Sequence, residues 1–201
     1  MNKVSERRRS MMTQAPVSLR RFSHTQGLTM LCLALATTAS FAADALGPGE
    51  IQRAVEKARD FLVRQQKGDG YWEAMSSADK RVGSTGLVLL ALGNAGLTPD
   101  DPTMRRGLAW LRTQEPDDTY AVSLQTMALA MLSPEADAVI LARNVRWLED
   151  AQVKVGPGTG SWSYKQAPGS TIGDNSNTQF ALLGLHEAAR VGIPVSDDTW
   201  V

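Results

Sequence analysis

The sequence predicts an all-α protein assembled from helical hairpins in two layers, and three observations carry that expectation. Amphipathic and almost wholly apolar segments alternate along the chain. An aromatic–Leu pair followed closely by Gln recurs at Phe61-Leu62, Trp110-Leu111 and Trp147-Leu148, at spacings of 49 and 37 residues. Pro99, Pro102, Pro116 and Pro134 fall between the segments, where proline is tolerated, and not inside them. A supersecondary unit that recurs with a loop of variable length points to a hairpin array.

The chain opens with a stretch of different character. Arg7-Arg8-Arg9 and Arg20-Arg21 precede an apolar run from Leu28 to Ala39, and Ser40-Phe41-Ala42 follows as a small-x-small pattern. Basic, apolar and small residues in that order read as a secretory signal peptide over residues 1–42. The run is shorter than the roughly 20 residues of a membrane span, and an uncleaved N-terminal anchor is the alternative. Six of the 21 basic residues and one of the 21 acidic ones lie in this leader. Residues 43–201 then form a 159-residue domain with 15 basic and 20 acidic side chains. Such a balance speaks against a nucleic-acid partner, which wants a basic face. The single cysteine, Cys32, leaves with the leader, so the expected exported domain has no disulfide and relies on its core.

The first helix is expected over 50–66. Ile51, Val55, Ala58 and Leu62 repeat at intervals of four, three and four, while Glu50, Arg53, Glu56, Lys57 and Asp60 occupy the rest. That is an outer helix with one buried stripe and one wet face. Leu87-Val88-Leu89-Leu90-Ala91-Leu92 has no polar face, so 84–95 is expected as an inner helix covered on most sides. Its alanine content and shortage of β-branched residues favour helix over strand. The remaining elements follow the same alternation: 103–114 outer, 119–132 inner, 135–152 outer and 177–191 inner. The Gly-rich stretch from Gly156 to Gly173 is the longest loop.

These residues resemble a known pattern. Lys57-Ala58-x-x-Phe61-Leu62-x-x-x-Gln66-x-x-x-Gly70-x-Trp72 is similar at every defined position to the QW repeat of squalene and oxidosqualene cyclases. Arg143 to Trp162 is similar more loosely, with Asn144 where Gly or Ala is usual and a longer Gln152-to-Gly160 interval. Arg106-Gly107 and Trp110-Leu111 are kept in the middle unit, but Gln114 comes one place early and no Gly-x-Trp follows. The chain thus resembles the prenyltransferase/squalene-oxidase repeat family over residues 50–201. The resemblance implies an α/α toroid, commonly of six hairpins. Three hairpins are readable here, an incomplete (α/α)6 barrel whose open edge is a candidate for self-association.

Two polar clusters are candidate sites. Glu115-Pro116-Asp117-Asp118-Thr119 resembles the Asp-x-Asp-Asp-Thr-Ala motif of squalene-hopene cyclases, which makes Asp117 and Asp118 the candidate catalytic acids. That chemistry needs a carboxylic acid held neutral in a dry, aromatic-lined cavity. The motif departs from the family with Glu115 first and Tyr120 in place of Ala, and residues 43–201 hold only ten aromatics, most of them committed to the repeat. Capping of an inner helix by Asp118 or Thr119 is the competing reading. Asp174, Asn175, Asn177 and Gln179 are the candidate binding residues, at a mouth suited to a polar ligand such as a sugar, with N-capping again the alternative. No cofactor is expected. The domain has no cysteine and one histidine, His186, too few ligands for the zinc site of protein prenyltransferases.

The leading expectation is an exported repeat scaffold that binds a protein or glycan partner on a concave helical surface, in the periplasm or cell envelope. A terpenoid-cyclase-like or polysaccharide-acting enzyme is the competing class, and fold alone does not choose between them.

Overall fold

The computed structural model describes residues 47–73, 80–166 and 169–200. The expected leader over 1–42, with Cys32 in it, lies outside the described residues. The described residues are all-α, with six helices: α1 Pro48–Gln65, α2 Arg81–Asn94, α3 Pro102–Arg112, α4 Thr119–Leu132, α5 Ala138–Ala151 and α6 Asn175–Arg190. A 3-10 turn, Asp197–Thr199, follows. Among the described residues extended backbone pairs only at one antiparallel bridge, Gln152 with Trp162. No helix among them is long and apolar enough to cross a membrane.

Local chemistry sets the helix starts. Pro48 and Pro102 occupy first-turn positions of α1 and α3, where the missing N–H costs nothing. Glu50 reaches back to the Gly47 N–H at 3.0 Å. Asp118 caps α4 and Asp174 caps α6, each accepting an N–H from the first turn. Capping by Asp174 starts α6 two residues ahead of the expected 177. At the other end, α5 begins three residues later than expected. Arg112 grips Asp137 through two hydrogen bonds of 2.7 and 2.9 Å, and Ser133 donates to the same carboxylate. Asp137 is only 3% exposed, so this bidentate pair fixes the turn between α4 and α5.

The helices form an inner row, α2, α4 and α6, in which α4 packs against both neighbours. On the outer side, α1 and α3 pack against α2, and α5 packs against α4 and α6. Ten of the fourteen residues of α4 are buried, as a largely apolar helix requires. Gly86 permits the close crossing of α2 and α4: a Cβ there would stand 2.9 Å from the Leu124 carbonyl oxygen. One core cluster gathers Trp72, Leu89, Leu92, Met104, Leu108, Leu111, Leu129 and Leu141. A second holds Val122, Val145, Leu148, Trp162, Ala181 and Leu185. Each such fully buried leucine contributes about 2 kcal/mol of apolar transfer.

The outer helix α1 departs from its expected buried stripe. Ile51 is 52% and Val55 38% exposed, and no residue of α1 is buried. Its packing on α2 is thin: Val55, Ala58 and Leu62 face Ala91, Leu92 and Ala95 across a gap of about 250 Å³, and even Leu62 and Val63 are only half-buried. Helix α2 is likewise less covered than its composition suggests, since Leu87 is 49% exposed.

Candidate functional site

The two polar clusters from the sequence lie at the starts of neighbouring inner helices, and one segment ties them together. The Thr119 N–H donates to the Tyr164 carbonyl at 2.9 Å, and the Thr119 hydroxyl donates to Ser163 O at 2.6 Å. Lys165 pairs with Asp117 at 2.7 Å. From the other side, the Asp174 N–H donates to Trp162 O at 2.7 Å. Residues 162–165 therefore bridge the caps of α4 and α6.

Within that mouth the side chains are committed unequally. Asp118 is 7% exposed, accepts the Ala121 N–H at 2.9 Å and lies 3.7 Å from the Lys80 ammonium. Asp117 is exposed, and the hydrogen bond from Lys165 holds its carboxyl below the ordinary value. Asp174 is also held below its ordinary value, first by the Ser176 hydroxyl and then by the backbone N–H and side-chain amide of Asn177. Asn177 is buried beside it, donating through its amide to Asp174 at 2.9 Å. Asn175 and Gln179 are exposed. Protonation-driven cyclisation needs a carboxylic acid kept neutral, and the surroundings of Asp117 favour the opposite state. The carboxylate of Asp118 is occupied by helix capping and a cation. Nearby, Tyr120 and Phe180 meet edge to face at 4.4 Å and fill space between α4 and α6.

The Gln and Trp residues of the repeated motif form the same set of bonds twice. Trp72 Nε1 donates to Leu62 O at 2.7 Å, and its backbone N–H donates to the Thr85 hydroxyl at 3.1 Å. Trp162 Nε1 donates to Leu148 O at 2.7 Å, and its N–H donates to the Thr178 hydroxyl at 3.0 Å. Gln66 donates to Gly70 O and Thr103 O; Gln152 donates to Gly160 O and Thr199 O. Gly70 and Gly160 both take left-handed φ, 103° and 86°, which turns the loop so that the following Trp enters the core.

The middle unit, which lacks the Trp, closes differently. Gln125 of α4 donates to Leu111 O at 2.8 Å, the carbonyl that matches Leu62 and Leu148. Its own oxygen accepts from Asn144 at 2.9 Å and Arg143 at 3.2 Å. Asn144, the departure from Gly or Ala in the motif, is thus the partner that holds this substitute. Sequence reading missed this role of Gln125, although a polar residue inside an otherwise apolar helix was the visible signal. The side-chain amide of Gln114, the motif glutamine, donates back to Trp110 O at its own helix end and to the Thr113 hydroxyl. Phe61, the aromatic of the first unit, is 55% exposed, and His186 is exposed on α6 with Glu187 at 3.4 Å.

On the side of the inner row away from the outer helices lies a groove that the sequence did not single out. Leu90 and Asn94 of α2, Met127 and Met131 of α4, and Leu183, Glu187 and Arg190 of α6 line a space of about 400 Å³. Met131 and Leu183 are 37% and 40% exposed. Glu187 and Arg190 pair at 2.8 Å on the rim. Among the described residues no group of three or more His, Cys, Asp or Glu is placed to hold a metal ion. Compared with known proteins, the chain matches no family model, no curated protein and no solved structure.

Proposed function

We propose that the chain is an exported helical repeat scaffold of the prenyltransferase/squalene-oxidase repeat type that holds a polypeptide partner on its inner row. The duplicated Gln–Gly–Trp bonding supports the repeat reading. In that reading α1–α6 are three outer–inner hairpins of an α/α toroid-type arrangement, residues 43–201 are the mature domain, and the inner row faces its concave side. The observation that carries the function is the groove across α2, α4 and α6, whose apolar floor is Leu90, Met127, Met131 and Leu183. A patch of that kind on three helices suits the apolar side chains of an amphipathic helix. Methionine lets the floor adapt to them. The rim residues Asn94, Glu187 and Arg190 supply polar contacts at its edge. Commitment of both candidate acids to capping and ion pairs supports binding over catalysis.

The test is site-specific photo-crosslinking in the cells that make the protein. A benzophenone side chain at Met131 is expected to give a discrete adduct with one polypeptide. The same group at Val139, 84% exposed on the outer helix α5, is expected to give none. Absence of an adduct at 131, or equal adducts at both positions, removes the proposal.

A further inference from the structure

The long loop between α5 and α6 holds an open cleft, independent of the inner-row groove. Its two arms, Pro157–Ser161 and Thr171–Asn175, line this open cleft of about 360 Å³. That volume lies within the range of small-molecule sites, about 300–1,000 Å³. The arms are fixed by backbone bonds: Gly158 N to Thr171 O at 2.9 Å, Val153 N to Ser161 O at 2.8 Å, and Asp174 N to Trp162 O at 2.7 Å. They approach closely because Gly158 and Gly173 lack side chains. A Cβ on Gly158 would stand 2.8 Å from Thr171 O, and one on Gly173 would collide with Ser161. The cleft is therefore largely formed before any ligand arrives, which lowers the ordering cost of binding.

The lining has a definite chemistry. Its side chains are Pro157, Thr159, Ser161, Thr171, Ile172 and Asn175, and none of them is ionisable. The Thr159 hydroxyl donates to Gly156 O at 2.7 Å and the Ser161 hydroxyl to Gly158 O, so their remaining capacity is that of acceptors. Asn175 is exposed, and its amide, with two donors and an acceptor, makes no hydrogen bond among the described residues. Ile172, 72% exposed, and Pro157 supply apolar walls. Hydroxyl donors, hydroxyl acceptors and a C–H face on one uncharged molecule are the features of a neutral sugar, and they complement this set. No ionisable side chain of the lining offers an anion or a cation a counter-charge. We infer that this cleft is a binding site for a neutral saccharide unit, with Asn175 as its polar anchor and Ile172 as its apolar wall.

Backbone amide NMR of the full chain tests this, with maltotriose, cellotriose and tri-N-acetylchitotriose as neutral probes and a trigalacturonate as the charged control. At least one neutral trisaccharide is expected to move resonances in 157–161 and 171–175. Asn175→Ala and Ile172→Ala, both at exposed positions, are each expected to weaken that binding by about tenfold, the scale of a lost hydrogen bond or apolar contact. Met131→Lys is expected to leave it unchanged, which separates this site from the inner-row groove. The inference is overturned if none of the three neutral sugars moves these resonances, if trigalacturonate binds as well, or if both loop variants bind like the parent chain.

Discussion

Gln125 is fully buried in α4, yet every polar atom of its side chain has a partner. It takes over the carbonyl that a tryptophan satisfies in the other two units, and Asn144 and Arg143 take up its oxygen. Removing it leaves the buried Asn144 amide without its acceptor and takes one donor each from Leu111 O and Gln114 O. Gln125→Ala is therefore expected to destabilise the fold by about 2–4 kcal/mol in urea denaturation. Asn144→Ala in the Gln125→Ala background should cost about 1 kcal/mol less than in the parent chain, because the two act as one unit. Strict additivity would show that Asn144 does not act through Gln125. The sequence concealed this pair for a physical reason. A missing Trp shows only as a gap in a pattern, while its replacement comes from another helix 14 residues further along.

At the scale of elements, the helices whose ends carry strong local signals were the most legible. Helix α4 begins at Thr119 and ends at Leu132, as Asp118-Thr119 and Pro134 predict. Helix α1 shows where periodicity stops informing: the pattern marks an apolar stripe but not how closely a partner helix packs on it. The cap of α6 yields a pH prediction. Asp174 has a folded pKa below its unfolded value, so its stabilising effect is fully present above the unfolded carboxylate pKa, about 3.9. It is lost as the pH falls through the lowered folded value. The urea midpoints of the parent chain and Asp174→Ala should differ at pH 6 and converge as the pH drops below about 4. A gap that stays constant from pH 6 to pH 2 would show that the charge of Asp174 plays no part in the cap.

At the scale of the whole molecule, alternating outer and inner segments predicted an all-α fold, and six helices are found among the described residues. The sites were less legible. Asp117, Asp118 and Asp174 drew attention as carboxylates, and the structure spends each on a cap or an ion pair. The groove is made from Leu90, Met127, Met131 and Leu183, which in an all-round apolar helix look like core. Which of them stay uncovered depends on how three helices turn toward one another, and no single helix encodes that. Binding on the inner row with the carboxylates in structural roles is the central claim. Calorimetric titration of the peptide segment captured at position 131 tests it most directly. Met131→Lys should weaken binding by at least about tenfold, as loss of a buried apolar anchor does, while Asp118→Asn, which still caps α4, should stay within roughly twofold of the parent chain. Loss of binding in Asp118→Asn with Met131→Lys unaffected would contradict the account.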